Sequence, residues 1–593
     1  MNSRTTKPTI MNIRSLLPGL LAFTVLPSFV GFPSCSAVAA QAVRPEADDV
    51  RMRAVVAFAD HALEKGRDRW SGKDTPLFVD GLEVRTGQPV EWLRSGRRYV
   101  ISNLASQQNF FRTLVGLSEL TGDERYRQAA KDATAHVFEH FRSPCGLLYW
   151  GGHTFVDLRT LEVVHIEGPH MEIKMHLPYY DLMWQVDPQA TAGFIRAYWN
   201  SNLWDWGRLE INRHAPYGKK PGAVWGSDWD DPQPLYETRG HGSVMPITDM
   251  TYSAAWLSQR TDANSLVWAR RMADLMTRSR HPETGLGSGR FSVLETRRKY
   301  TGVTEPRSTA VRETYTDYGD RTRNVFGPEF GEAALDAWQL GRAATARRIY
   351  VEYALSQMAI AEELGDGGNE YLSWMVEGLK AYAKYGYDAE DNVFRALLGD
   401  GSDLTGYVIK RGLRAGETLE AIPADAAFLL SYARAWRLSG EDELWATVRD
   451  IARGNGLGDL GQAAGQDPSP DLTTGCKDPL ALLAVLEVYR GKGDDVYLSL
   501  ARRIGDNIIQ QRYRNHLFVE SERHLYARLD ALDPLALLAL EATVRGEPER
   551  APAFIGGLWR YLQGPYDGHG RANDQGLFYR PDAYFRDDAG PGE

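Results

Sequence analysis

LSELTGDERY, residues 117–126, carries the clearest structural signal of this chain. Apolar residues recur at helical spacing up to Gly122, and Asp123 and Glu124 then begin a second helical run. Glycine adopts the left-handed conformation that ends a helix, and acidic residues stabilise the first turn of the next one. The stretch therefore predicts a helical hairpin, two helices joined by a tight turn.

The same signal occurs at residues 256–262, where the glycine is missing, and at residues 436–442 and 488–495. Second helices are predicted over residues 126–141, 265–279 and 444–453. Repeated hairpins indicate an α/α solenoid, and the glycine-rich loops after the second helices would gather at one end. We predict an all-α fold, an (α/α) barrel or toroid of six or seven helical hairpins. An open helical-repeat array is the alternative, but abundant aromatic residues at loop positions, as in carbohydrate-binding clefts, favour closure.

The composition is that of a soluble globular protein, with 43% hydrophobic and 25% charged residues in a chain of 593. The formal net charge of −10 argues against nucleic acid as a partner. It leaves an acidic polysaccharide open as a partner, because the local field in a cleft matters more than the total charge.

The N-terminus has the pattern of a secretory signal. Basic residues precede an apolar run over residues 16–32, and small residues follow up to Ala40. Prolines interrupt the run, which is too short to favour a membrane-spanning helix. We expect residues 1–40 to be a signal peptide, the protein to be exported to the periplasm or the medium, and no stable membrane association after removal of the signal.

Residues 41–593 are predicted to form a single (α/α)-barrel catalytic domain with a non-helical C-terminal tail. The tail, residues 564–585, is rich in Gly, Tyr and Asp and has no helical period. Removal of the signal leaves Cys145 and Cys476, which are too few for a disulfide framework or for a thiol cluster that binds zinc.

Metal-binding residue types are concentrated between residues 149 and 217, a span that holds five of the thirteen histidines together with Glu172. Imidazole and carboxylate together suit Mn, Fe, Co, Ni or Zn better than Ca or Mg, which prefer oxygen ligands. A helix that opened at Pro169 would place Glu172 and His176 on one face, and His170 and Lys174 on one face. The residues therefore predict a metal site and leave several ligand sets open.

Three further segments combine aromatic, acidic and basic residues: residues 225–231, 236–242 and 317–329. Aromatic rings stack on sugar rings, and charged groups bind hydroxyl groups or carboxylates, so the combination is typical of a sugar-binding groove. A glycoside hydrolase would use paired carboxylates here. Its candidates are Asp228, Asp230, Asp231 and Glu237.

The order His153, Glu172, Arg213-His214 resembles the family 2 pectate lyases, the exopolygalacturonate lyases. The separations of 19 and 42 residues (172 − 153 and 214 − 172) are similar to the family's pattern. Residues 323–332 also resemble a family segment. The resemblance implies an (α/α) barrel in which His153, Glu172 and His214 hold a transition metal, with Mn²⁺ expected. It leaves His170 and His176 as rival ligands.

The resemblance also implies the reaction, β-elimination at a uronic acid, with Arg213 as the Brønsted base. A divalent cation neutralises the C6 carboxylate and so makes the C5 proton easier to remove. A guanidinium serves as a base only where a nearby cation and desolvation lower its pKa strongly. The expected substrate-binding residues are Lys174, Arg321, Arg323, Trp150 and Tyr217.

The sequence therefore predicts a polysaccharide lyase that cleaves a uronic-acid polymer, pectate in the first place, by metal-assisted β-elimination. Two alternatives remain: a glycoside hydrolase on the same barrel and a non-catalytic protein that binds acidic glycans.

Overall fold

The computed structural model describes residues 50–557 and two short strands beyond them, with gaps at residues 95, 166–167, 174, 212–213, 219–221, 223, 237–241, 288, 294–345, 410–415, 463–466 and 521–523. The expected signal peptide and the expected functional residues Arg213, Lys174, Arg321 and Arg323 lie outside the described residues. So does the hydrolase candidate Glu237.

Two rings of helices build the molecule. The inner ring consists, among the described residues, of α2 Gln108–Thr121, α4 Tyr180–Val186, α6 Val244–Ser258, α8 Ala354–Leu364, α10 Ala426–Ser439, α12 Pro479–Lys492 and α14 Asp533–Val544. The outer helices are α1 Val50–Lys65, α3 Arg125–His140, α5 Pro188–Asn202, α7 Asn264–Arg278, α9 Asn369–Gly386, α11 Asp442–Gly454 and α13 Asp495–Arg512. A π-helical turn, Arg348–Tyr353, leads into α8.

Contacts between neighbouring inner helices run from α6 through α8, α10, α12 and α14 to α2. The ring closes through α4. Tyr180 of α4 packs on Tyr252 and Trp256 of α6, and the backbone N–H of Tyr179 donates to Gln108 of α2. The described residues thus form seven helix pairs in a closed (α/α) barrel, which confirms the predicted fold class.

Apolar patterning separates the two rings. In α6 every residue but the last is buried, whereas α11 buries one face only. A helix that is apolar all round needs neighbours on every side, and an amphipathic helix needs a core on one side only.

Glycine ends three of the inner helices as predicted. Gly122, Gly440 and Gly493 each have φ of +74°, and each N–H donates to the carbonyl oxygen four residues earlier. The side chain of Asp494 then caps the next helix by accepting from the N–H of Val496. These turns are short, so each pair of helices packs as a hairpin.

The connections from an outer helix to the next inner helix are long. They cover residues 66–107, 141–179, 203–243, 387–425, 455–478 and 513–532. All of them reach the N-terminal ends of the inner helices, which we call the mouth of the barrel. No helix in the described ranges is both long and apolar enough to cross a membrane.

Short antiparallel strands occupy these connections and the tail: β1 Gly81–Glu83, β2 Glu91–Arg94, β3 Arg97–Ser102, β4 Thr154–Asp157, β5 Glu162–His165, β6 His170–Met171, β7 Leu203–Asp205, β8 Glu210–Ile211, β9 Ala215–Pro216, β10 Pro234–Tyr236, β11 Gly242–Ser243, β12 Arg290–Val293, β13 Tyr387–Asp388, β14 Val393–Phe394, β15 Ile422–Pro423, β16 Gly458–Asp459, β17 Ser469–Pro470, β18 Tyr513–Arg514, β19 Leu517–Phe518, β20 Tyr526–Arg528, β21 Arg571–Asn573 and β22 Gly576–Phe578. Strands β2 to β5 form a four-stranded sheet, and β6 pairs with β9.

The helix considered after Pro169 does not form. His170 and Met171 instead pair with Pro216 and Ala215 in the β6–β9 ladder. The backbone there forms its pairing with a segment more than forty residues away. The helical spacing of Glu172 with His176, and of His170 with Lys174, therefore does not place these pairs on one face of a helix.

A segment after α14, residues 551–557, runs inside the inner ring, and we call it the lumen segment. Pro552 packs on Gly116 of α2, with its Cδ 2.7 Å from the position that a Cβ would take there. The guanidinium of Arg434 in α10 donates to the carbonyl of Phe554 over 3.0 Å, and the N–H of Gly557 donates to Glu352 over 2.7 Å. Because these partners lie on separate parts of the ring, the segment crosses the lumen.

The lumen segment separates two cavities. One of about 450 Å³ opens at the mouth and includes Gly557 in its lining. The other, of about 800 Å³, lies towards the C-terminal ends of the inner helices. Beyond the segment, β21 and β22 contact β2 and β3. Cys145 and Cys476 are both free thiols.

Candidate active site

Two glycines position His153 beside Glu172. The N–H of Gly152 donates to the carbonyl of Glu172, and a Cβ on Gly151 would meet that carbonyl oxygen at 2.5 Å. The side chain of Asn103 holds Gly151 from the other side, bonding both its N–H and its C=O. This close approach requires glycine, and it brings the next residue, His153, against the Glu172 side chain.

The carboxylate of Glu172 lies between two imidazoles. Its Oε2 is 2.7 Å from Nε2 of His153, and its Oε1 is 3.6 Å from Nε2 of His214. Glu172 is fully buried and His153 is 4% exposed, whereas the side chain of His214 is 32% exposed. Three residues that are far apart in the sequence therefore meet at the mouth, with one of them open to solvent.

His170 belongs to the same cluster. Its ring centroid is 4.6 Å from that of His214 and 5.2 Å from that of His153. One nitrogen from each of the three histidines lies within 4.8 Å of the others. The β6–β9 pairing explains this, because it sets His170 beside the strand that follows His214. His176 is buried and is not a member of this group of three.

These residues fit a divalent transition metal. Ligand atoms that are each about 2.1 Å from one ion lie on the order of 3–4 Å apart, and the 3.6 Å between Glu172 Oε1 and His214 Nε2 is in this range. Imidazole nitrogens with one carboxylate are the donor set that Mn, Fe, Co, Ni and Zn accept. A fully buried carboxylate is costly unless positive charge lies beside it, and either a metal cation or a protonated histidine supplies that charge.

The two described residues that were expected to bind substrate are both buried. Trp150 is 1% exposed and packs edge to face on Phe194 at 5.2 Å, so its ring offers no face to a sugar. Tyr217 is 7% exposed and lies 4.7 Å from the partly exposed ring of Tyr149. Burial raises the pKa of the Tyr217 hydroxyl.

The three described carboxylates among the hydrolase candidates lie at the surface of the molecule. Asp228, Asp230 and Asp231 are exposed. Asp230 lies 3.6 Å from Arg208 and Asp231 lies 3.1 Å from Arg278, as ordinary surface ion pairs. The indoles of the same segment, Trp225 and Trp229, pack on other tryptophans.

Sequence reasoning missed the charged lining of the mouth cavity. The lining includes Arg347, Arg348, Glu352, Asp425, Asp478, Arg512, Arg528, Asp530 and Asp533. Several of these residues pair across the cavity wall, as Arg347 does with Asp425 at 2.7 Å. Most of them stand just before or at the start of an inner helix, and that recurrent position was the signal available in the sequence.

The family described as periplasmic pectate lyase matches residues 75–564. A curated pectate disaccharide-lyase from Dickeya dadantii (strain 3937) is 33% identical over 512 residues, which is 83% of this chain and 89% of the relative. The chain belongs to the family 2 pectate lyases. It is therefore a polysaccharide lyase that cleaves pectate, as the order of His153, Glu172 and Arg213-His214 predicted.

Solved structures also align with the chain. A D-mannose isomerase aligns over 68% of this chain and 85% of its own, with 11% identity and a TM-score of 0.39. A family 76 α-mannanase from Bacteroides thetaiotaomicron aligns over 84% of this chain and 97% of its own, with 10% identity and a TM-score of 0.39. Scores this low do not bear on the activity of the pectate lyase.

Proposed function

We propose that this pectate lyase works by metal-assisted β-elimination, with His153, Glu172 and His214 as the ligands of a divalent transition metal, Mn²⁺ in the first place. The observation that carries the proposal is the position of the Glu172 carboxylate, 2.7 Å and 3.6 Å from the Nε2 atoms of the two histidines. His170 is close enough to be a further ligand.

When bound, a divalent cation would neutralise the C6 carboxylate of a uronate and so increase the acidity of the C5 proton. A base then takes the C5 proton, the C5–H electrons form the C4–C5 double bond, and the C4–O bond breaks. Arg213 is the expected base, because it directly precedes His214 in the chain. The exposed side of the His214 ring leaves an approach for the substrate.

The proposal also includes the product and the location, for which the relatives give support. The Dickeya relative is named for disaccharide release, and we expect this chain to release an unsaturated disaccharide from pectate. The family is described as periplasmic, and the N-terminal pattern of the chain is that of an exported protein.

The test uses purified protein, polygalacturonate and ultraviolet absorbance, which detects the unsaturated uronate. The wild type should form absorbing product, lose activity with a chelator and regain it with Mn²⁺. His153→Ala and His214→Ala should lose bound metal, measured by elemental analysis, while His140→Ala, a change at an exposed histidine of α3, should keep it.

His170→Ala in the same series separates the two ligand sets. Loss of metal with His170→Ala would make His170 a ligand. Full metal content in His153→Ala and His214→Ala would refute the assignment of these two residues, and activity that resists exhaustive chelation would refute the metal-assisted reaction.

A further inference from the structure

A buried carboxylate binds the backbone just after Glu172. Asp249 of α6 is fully buried. Its Oδ1 accepts the N–H of Leu177 over 2.7 Å, its Oδ2 accepts the N–H of Met175, and the N–H of His176 also bonds to it. Three successive N–H groups thus converge on one side chain.

The backbone of these residues has an unusual conformation. Met175 and Leu177 have φ of +58° and +46°, in the left-handed region that residues with a Cβ disfavour. Alternation into that region turns successive N–H groups towards one side and makes a concave anion-binding turn. The Asp249 carboxylate occupies the position that such a turn offers to an anion, so it stabilises a conformation that is otherwise strained.

A cation holds the same peptide from the other side. Arg112 of α2 is 3% exposed, and its guanidinium donates to the carbonyl of Leu177 over 2.9 Å. Leu177 therefore donates to a carboxyl group and accepts a charge-assisted hydrogen bond from a guanidinium, and these two partners belong to different inner helices. Such charge-assisted hydrogen bonds are stronger than those between neutral groups.

The held segment lies next to the candidate metal ligand. Glu172 is fixed at its own backbone by Gly152, and residues 175–177, a few positions later, are fixed by Asp249 and Arg112. The two anchored positions, residues 172 and 175, are three residues apart in the chain, so a hold on the second also restricts the first. Groups that orient a metal ligand without touching the metal typically change its affinity by about 10- to 100-fold.

We propose that Asp249, with Arg112, is a positioning residue that holds Glu172 in the geometry required for metal binding. This inference rests on the proposed metal site. Asp249 does not contact the substrate; it acts through the conformation of residues 175–177.

The experiment measures Mn²⁺ affinity by calorimetry, Co²⁺ coordination by visible absorption, and thermal stability in purified full-length variants. Asp249→Asn should bind Mn²⁺ about 10- to 100-fold more weakly and change the Co²⁺ spectrum. Glu487→Gln is the matched control, since it converts another buried acid of an inner helix to its amide, and it should lose stability but keep the metal affinity of the wild type.

Two further variants keep the inference testable if Asp249→Asn folds poorly. Arg112→Lys retains the charge but cannot reproduce the guanidinium bond to Leu177, and it should weaken Mn²⁺ binding several-fold. Adding Met175→Gly to Asp249→Asn should restore part of the affinity, because glycine adopts the left-handed conformation without strain. A general loss of folding would give no such rescue.

Wild-type Mn²⁺ affinity in folded Asp249→Asn and Arg112→Lys would overturn the positioning role while leaving the proposed metal site intact. A wild type that binds neither Mn²⁺ nor Co²⁺ would overturn the metal site, and the positioning role with it.

Discussion

Replacement of Gly151 by alanine should disable the site through a contact of the main chain. The new Cβ would stand 2.5 Å from the carbonyl oxygen of Glu172, where ordinary van der Waals contact begins at 3.4 Å. The segments that carry Gly151 and Glu172 must therefore separate by about 0.9 Å (3.4 − 2.5). A misplacement of about 1 Å in an active site costs roughly 100-fold in rate, and we expect a loss of that size.

The same change also strains the backbone, because φ at residue 151 is +94°. A residue with a Cβ in the left-handed region loses roughly 1–2 kcal/mol of stability. Gly440→Ala separates the two effects, since Gly440 has φ of +74° and nothing within 4 Å of its Cβ position. That variant should lose similar stability while its folded fraction cleaves pectate at the normal rate.

Three measurements on both variants decide the outcome: chemical denaturation, Mn²⁺ affinity, and the initial rate of absorbing product. Gly151→Ala should show a lower rate and weaker metal binding than Gly440→Ala at a temperature where both are folded. Equal rates and equal affinities in the two variants would refute the close approach between Gly151 and Glu172 as the source of the His153–Glu172 geometry.

Arg213→Lys should lower turnover on the order of 100- to 10,000-fold at saturating Mn²⁺, because the shape of the guanidinium matters as well as its charge; near-normal turnover would exclude Arg213 as the base. Trp150→Ala should cost about 3–5 kcal/mol of unfolding free energy with an unchanged Michaelis constant. A raised Michaelis constant at normal stability would show that Trp150 binds the substrate. Burial alone would raise the pKa of Glu487, but Arg434, Arg437 and Arg490 hold it at about 2. Its ion pairs should therefore contribute roughly 3 kcal/mol above pH 4.5, lost as the pH falls towards 2, and unfolding curves of wild type and Glu487→Gln should converge over that range.

The sequence predicted those parts of the fold that depend on neighbours in the chain. A left-handed glycine followed by an acidic residue ends one helix and starts the next by local hydrogen bonds alone. The helix ends at Gly122, Gly440 and Gly493 could therefore be predicted from the sequence. His153, Glu172 and His214 could be identified as candidates because their order resembles a family pattern. The sequence around each of them does not indicate that the three residues meet.

Features that depend on distant partners were not predictable. His170 and Met171 form a strand because Ala215 and Pro216 lie beside them, and the helix considered at Pro169 ignored that pairing. Trp150 has the surroundings of a sugar-binding residue in the sequence, but its packing on Phe194 makes it part of the core. The hydrogen bonds from residues 175–177 to Asp249 join positions more than seventy residues apart, and such bonds produce no repeating pattern in the sequence.

The lumen segment affects how a polymer can move through the enzyme. Residues 551–557 cross the inner ring, with Pro552 against α2 and Phe554 bonded to Arg434, so in the described part of the barrel the chain itself stands between the mouth cavity and the second cavity. With the lumen segment in this position, we expect a pectate strand that enters the mouth to leave by the same opening, and a cleaved fragment to leave before the next length of polymer advances. One-way threading through the described part of the ring would require the lumen segment to move, and its bonds to Arg434 and Glu352 oppose that movement.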